Sequence, residues 1–247
     1  MKLTINADKT VFMTFKNKNK KMQPINVEME GRKIREVDDV KYLGLTIDKN
    51  LTFAKHIESI KNKICPLVGA IRRSGLLNNY VANTIYKSII LSQIMYMCAI
   101  WSNATQTQLN AMEILQKKAI KLLYKIPFRT PTTELYEKLD LLSIKEIIHL
   151  ERCKMMYRIK NNLFKYNNNL AINKEIHQHF TRKRNQYHIH TINTNKGRGN
   201  TQYNCAIAFN SLKEETKCST NIKTLAKSLI QDIKTNREEQ KQNIYKA

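Results

Sequence analysis

The chain has 247 residues, 42% hydrophobic and 26% charged, with a net charge of +23. Five scattered cysteines without a C-x-x-C pair exclude a disulfide framework or a zinc module and point to a reducing, intracellular compartment, nucleus or cytoplasm. The excess of lysine and arginine selects a polyanionic partner, nucleic acid first and an acidic membrane surface second.

At this length one compact domain with an appendage, or two small domains, is expected. The start, Met1 to Asn6, turns polar at once and does not read as a signal peptide. In chain order, Val11-Phe12-Met13-Thr14-Phe15 reads as a short strand and Lys16 to Lys21 as a basic turn. Ile25 to Glu30 alternates apolar and polar residues, and Gly31-Arg32 turns it toward Lys33 to Val37, a hairpin pattern. Val40 to Asp48 reads as a further strand, with Gly44 marking a bulge or a close backbone approach.

From Leu51 the apolar period becomes helical. Phe53, Ile57, Ile60, Ile64, Leu67 and Ile71 share one stripe, with Thr52 as the expected cap, Gly75 as the expected stop and a kink at Pro66. A second helix is expected from about Asn79 to Ala99. The apolar run Ile85 to Trp101 holds Lys87, Ser88, Ser92 and Gln93, so it reads as buried helix and not as a membrane span. A third helix runs from about Gln106 to Lys125, where Ile126-Pro127 stops it. A short one covers Thr133 to Lys138. A fourth starts at Ser143, with Glu146 completing a capping box, and ends near Asn161. Thr181 to Asn200 has no acidic residue and reads as a basic, mobile loop. A last element resumes at Tyr203 to Asn210, and a terminal helix runs from about Asn221 to Asn236.

The pair Asp38-Asp39, flanked by strand formers, has the look of a polymerase metal site. Such a site holds two Mg²⁺ about 4 Å apart and draws on carboxylates from separate strands. The one aspartate upstream is Asp8, in a turn between Ala7 and Lys9, with no room before it for a nucleotide pocket. On spacing, the pair reads as a solvated hairpin end. His177-Gln178-His179 and His188-Ile189-His190 offer four nitrogens, but no cysteine or carboxylate pattern supports them, and no metal is assigned. No G-x-x-x-x-G-K and no G-x-S-x-G is present.

Three stretches taken together are more specific: Asn6-Ala7-Asp8-Lys9-Thr10, then Tyr42-Leu43-Gly44, then Leu51-Thr52 with His56-Ile57. Their order resembles the reverse transcriptases of non-LTR retrotransposons, in particular the jockey-like elements of animals. Trp101, Ile114 to Ile120, Leu139 to Ile144 and Phe209-Asn210-Ser211-Leu212 extend the resemblance over nearly the whole chain. Phe209 and Lys213 replace the family's Trp and Pro in the last motif. In that family the catalytic Asp-Asp turn precedes the Asn-x-x-Lys-Thr segment, so the resemblance does not make Asp38-Asp39 catalytic and expects that turn upstream of Met1.

The resemblance implies a fold that is mostly α with a small N-terminal β-hairpin region. Its parts would be residual palm hairpins over 1–50, a helical thumb over 51–162, a basic flexible linker over 163–200 and a helical tail over 201–247. Lys9 would stand on the pyrophosphate side of the nucleotide. Tyr42, Leu43 and Gly44 would form the primer grip. Lys61, Lys63, Arg72 and Arg73 on the first thumb helix would follow the template–primer backbone, in sequence-independent, salt-sensitive contacts. Arg182, Lys183, Arg184, Lys196 and Arg198 would add a second contact, with Tyr187, His188 and His190 available for stacking. The expected partners are an RNA or RNA/DNA template–primer and the upstream palm and endonuclease regions of the same polyprotein, with no membrane. No cofactor is expected for this chain, whereas a complete parent enzyme would use Mg²⁺. The alternatives are a non-enzymatic RNA- or DNA-binding module and a decayed element product without activity.

Overall fold

A computed structural model describes residues 5–15, 25–74, 78–163 and 170–244. The expected turn at Lys16 to Lys21 and the helix stop at Gly75 lie outside these residues. The architecture is mostly helical with a small N-terminal β region, as expected.

The β region is three two-stranded pairs. β1 (Val11–Phe12) pairs in parallel with β4 (Arg35–Glu36). β2 (Glu28–Met29) pairs antiparallel with β3 (Arg32–Lys33) across Glu30-Gly31. β5 (Asp39–Tyr42) pairs antiparallel with β6 (Leu45–Asp48) across Leu43-Gly44. Both tight turns have positive φ at their two central residues, the mark of a type I′ turn, whose twist matches that of the flanking strands. The single strand expected over Val40 to Asp48 is thus a hairpin, and Gly44 sits in its turn and not in a bulge.

α1 (Ala54–Arg73) runs through Pro66 without interruption and buries His56, Ile57, Ile60, Ile64 and Val68. Thr52 Oγ1 accepts from the Ala54 amide at 3.4 Å, but Asp48 carries more of the helix start. Its carboxylate accepts from the Asn50, Thr52 and Phe53 amides at 3.0, 3.1 and 2.7 Å. A strand-end carboxylate therefore organises the left-handed turn at Leu51 and Phe53.

The expected helix over 79–99 is broken. α2 (Asn79–Ile85), capped by the Asn78 side chain, passes into a π-helical stretch (Tyr86–Leu91) and then α3 (Ser92–Met95). The Ser88 and Ser92 hydroxyls donate back to the Thr84 and Ser88 carbonyls, which suits the widened ladder. At Tyr96-Met97 the chain leaves the helix, with Met97 at φ 49°, and restarts as α4 (Cys98–Trp101). The buried Trp101 indole donates to the Tyr96 carbonyl freed by the break, at 3.0 Å.

α5 (Gln106–Leu123) and α6 (Thr132–Lys138) follow. α7 (Ile144–Lys160) starts with the expected Ser143–Glu146 capping box. α8 (Asn173–Ile176) and α9 (Asn195–Arg198) are short helices within the expected linker 163–200, and α9 lies inside its expected loop Thr181 to Asn200. α10 (Thr201–Asn210), α11 (Glu214–Lys217) and α12 (Ile222–Ile244) complete the chain, and α12 runs eight residues past its expected end.

Two apolar cores result. The first gathers Leu45, Phe53 and the stripe of α1 with Trp101, α5 and the first turns of α7. The second gathers Leu150 to Ile159 of α7 with Cys205 and Phe209 of α10 and Leu225 and Leu229 of α12. α7 contributes to both, so it is buried on more than one side. No described helix is long and apolar enough to cross a membrane.

Candidate nucleic-acid interface

The β5–β6 turn is the best-defined part of the interface. Gly44 has φ +84°, a conformation that suits glycine, and a Cβ placed there would lie 3.2 Å from the Tyr96 ring. The Tyr96 hydroxyl donates to the Leu43 carbonyl. The hairpin tip is thereby pinned to the helix break at Tyr96-Met97, while the Tyr42 and Leu43 side chains stay exposed at 63% and 66%. On β6, one residue pair from the tip, the Thr46 amide faces Nδ1 of the buried His56 at 3.4 Å. Burial, with Lys63 second, lowers the His56 pKa, so a neutral ring accepting that amide is favoured. Tyr42, Leu43 and Gly44 are thus one rigid, outward-facing turn. Tyr96, which holds it, stood in the last turn of the helix expected over Asn79 to Ala99 and had no signal of its own.

Asn6 shapes the segment around Lys9. Its Oδ1 accepts from the Asp8 and Lys9 amides at 2.9 and 3.3 Å, and Thr10 Oγ1 donates to its carbonyl at 2.8 Å. The result is a 3₁₀ turn (Ala7–Lys9) with Lys9 exposed. Asp8 pairs with Arg32 at 3.3 Å. Asp38 pairs with Lys49 at 2.8 Å, and Asp39 with Lys55. Each of these carboxylates faces a separate cation. Among the described residues no group of three or more His, Cys, Asp or Glu could hold a metal ion.

The four basic residues of α1 do not form one track. Helical periodicity puts Lys61 and Arg72 at one border of the buried stripe, Arg73 on the outer face and Lys63 at the opposite border, beside His56. Arg182 and Lys183 are exposed and line an open pocket with His177, His179 and His188. Arg184 stacks its guanidinium over Phe180, 4.1 Å from the ring centre. The Lys196 side chain is outside the described residues, and Arg198 is exposed.

The segment carrying these groups is docked on α10. The Asn210 side chain brackets Tyr187, accepting from its amide and donating to its carbonyl, both at 2.9 Å. The Tyr187 ring packs edge-on against Phe209. Tyr187 is therefore half-buried against the second core, and it also lines the open pocket. His188 and His190 contact each other edge-on at 4.6 Å, and His188 Nδ1 lies 2.9 Å from Asn173 Oδ1.

One basic residue escaped sequence reasoning. Arg152 lies on the inner stripe of α7 with Ile148, Met156 and Ile159. Its Nη2 donates to the Ser102 carbonyl at 3.1 Å and to Asn103 Oδ1 at 3.2 Å. Asn204 also donates to Asn103 Oδ1, and the Asn103 amide donates to Thr201 Oγ1, both at 2.8 Å. These bonds tie α7 and the link between α4 and α5 to α10. The available signal was a lone cation on an apolar stripe.

Set against known proteins, the chain is homologous over about 64% of its length to RNA-directed DNA polymerases of mobile elements. It is 29% identical over 159 residues to the RNA-directed DNA polymerase from mobile element jockey of Drosophila melanogaster, covering 63% of this chain and 17% of that one. To the probable polymerases from transposon BS and transposon X-element of the same fly it is 24% identical over 162 residues and 27% over 173. These matches cover 64% and 68% of this chain and 18% of each relative. The chain thus spans less than a fifth of the length of these relatives. No family model matches it, and no solved structure does.

Proposed function

We propose, from this homology to the RNA-directed DNA polymerases of jockey-like mobile elements, that the chain supplies the primer-grip and thumb part of such a polymerase. It would contact an RNA or RNA/DNA template–primer without itself holding the catalytic metals. The match of some 160 residues to three mobile-element polymerases carries the reading. The pinned hairpin supports it. A glycine turn with a fixed backbone and two exposed side chains, Tyr42 and Leu43, is suited to lie along a primer end. Lys61, Arg72 and Arg73, with Arg182, Lys183 and Arg198, would supply phosphate contacts of low sequence specificity.

Binding of a labelled RNA/DNA primer–template, followed by anisotropy over a salt series, tests this. The expected result is a steep fall of affinity with salt, and no primer extension by the chain alone with Mg²⁺ and nucleotides. Absence of binding at low salt would refute the reading, and so would extension by the isolated chain. In a full-length polymerase, Asp38→Ala should leave extension intact. Loss of extension with template binding preserved would make Asp38 a metal ligand.

A further inference from the structure

Three long helices begin at one cleft. The turn into α1 (Asn50 to Phe53), the start of α5 (Thr105-Gln106) and the start of α10 (Asn200-Thr201) all line a space of about 1080 Å³. Each helix start carries partial positive charge from its unpaired amides, which the Asp48 carboxylate already offsets at the turn into α1. The α10 amides are met by the Asn200 side chain, whereas Thr105 makes no side-chain cap for α5. The lining includes two arginines, Arg152 and Arg198, and no carboxylate. Gly197 and Gly199 flank Arg198 on its wall, at the end of α9.

Two buried groups in this lining lack partners. Ser102 is 2% exposed and its hydroxyl has no hydrogen-bond partner, and the Arg152 Nε has none either. The two hydrogen bonds Arg152 makes go to neutral oxygens. Its thiol neighbours do not neutralise it, because burial pushes Cys153 and Cys205 up to about 12 and Cys98 higher still. A half-buried guanidinium held only by neutral partners is costly, and an anion relieves that cost.

We infer that this cleft takes a phosphate group of a nucleic-acid strand, held by Arg152, Arg198 and the uncapped first turn of α5. The inference rests on the nucleic-acid reading above and places one contact of it. It draws a strand across the junction of the hairpin, the first thumb helix and α10, a surface that the basic residues of α1 do not reach as a single track.

Gln106→Glu tests it without endangering the fold. Gln106 is exposed in the first turn of α5, where a carboxylate favours the helix and competes for the anion site. Thr224→Glu makes the same charge change in the exposed first turn of α12, away from the cleft. Affinity for a fluorescein-labelled 12-nucleotide single-stranded RNA is read by anisotropy. The melting temperature in inorganic phosphate is read beside it, against chloride of equal ionic strength. Gln106→Glu should weaken RNA binding at least fivefold and abolish the phosphate shift, while Thr224→Glu changes affinity less than twofold. Equal effects of the two variants, or none, would overturn the site and leave the nucleic-acid reading standing. A wild-type chain that ignores RNA yet gains a Gln106-dependent phosphate shift would overturn the strand as the source of the phosphate.

Discussion

Replacing Gln116 by leucine isolates the polar node of the first core. Gln116 is fully buried on α5. Its amide donates to the Tyr86 hydroxyl at 2.7 Å and to the Leu142 carbonyl at 2.8 Å, and its oxygen accepts from the Tyr136 hydroxyl at 3.0 Å. Burial pushes the Tyr86 phenol up to about 12 and Tyr136 further, so both stay protonated. Leucine conserves volume, leaves no large cavity and strands three oxygens. Each orphaned buried group costs about 1–3 kcal/mol. Tyr136 and Leu142 lie nearer the surface than Tyr86 and can recover part of that from water. The expected loss is therefore about 3–5 kcal/mol, roughly a fifth or more of the stability of an ordinary domain. Urea unfolding followed by circular dichroism at 25 °C measures it. Adding Tyr86→Phe and Tyr136→Phe removes two of the stranded hydroxyls and should restore the protein to within about 2 kcal/mol of wild type. A loss below about 1 kcal/mol in the single variant, or a triple variant no better than the single, would refute the reasoning.

The Arg237 guanidinium joins α12 to the start of α7, with Nε 2.7 Å from Glu146 Oε1 and Nη2 3.1 Å from the Leu141 carbonyl. Arg237→Ala should cost about 2–3 kcal/mol at pH 7, between the values for surface and buried pairs. Burial opposes ionisation of Glu146, but the bonds from Arg237 and Ser143 outweigh it and hold the carboxyl below its ordinary value. Its contribution is therefore complete above the unfolded carboxylate's range, about pH 4–5, and disappears as pH falls through the lower folded value. The stability gap between wild type and Glu146→Gln should close over that acid window, and a gap that stays constant down to pH 3 would contradict the assignment. Gly44→Ala places a Cβ 3.2 Å from Tyr96 at a φ of +84°. Amide exchange at the β5–β6 hairpin should quicken by roughly tenfold, the equivalent of about 1–2 kcal/mol of left-handed strain, while α5 and α7 exchange as before.

The helical layout was readable because it rests on local chemistry. The stripe of α1, the capping box at Ser143 and the stop at Ile126-Pro127 each act within a few residues, and each expected helix has a counterpart. The breaks were not readable. Met97, Phe53 and Leu43 take positive φ although none is glycine, and beside each stands a side-chain bond to the backbone that no periodicity or capping pattern announces: the Trp101 indole at Tyr96-Met97, the Asp48 carboxylate before α1 and the Tyr96 hydroxyl at the hairpin. The segment 170–200 misled for a related reason. It is polar and basic, yet an antiparallel bridge between Ile172 and Tyr187 and the Asn210 side chain, which brackets Tyr187, hold it in place.

Two polar residues interrupt otherwise apolar stripes, Gln116 on α5 and Arg152 on α7, and sequence pattern treats them alike. Their hydrogen bonds separate them. Gln116 is saturated by Tyr86, Tyr136 and Leu142, and a group with every demand met inside the protein has nothing left to offer a ligand. Arg152 keeps a charge that neutral oxygens only partly satisfy, with a buried Nε and the Ser102 hydroxyl unmatched beside it. A side chain in that state destabilises the empty protein and is relieved by an anion. The same physical rule therefore sends the first to the core and the second to the interface. It predicts opposite responses to added phosphate: a stabilisation lost in Gln106→Glu and retained in Gln116→Leu.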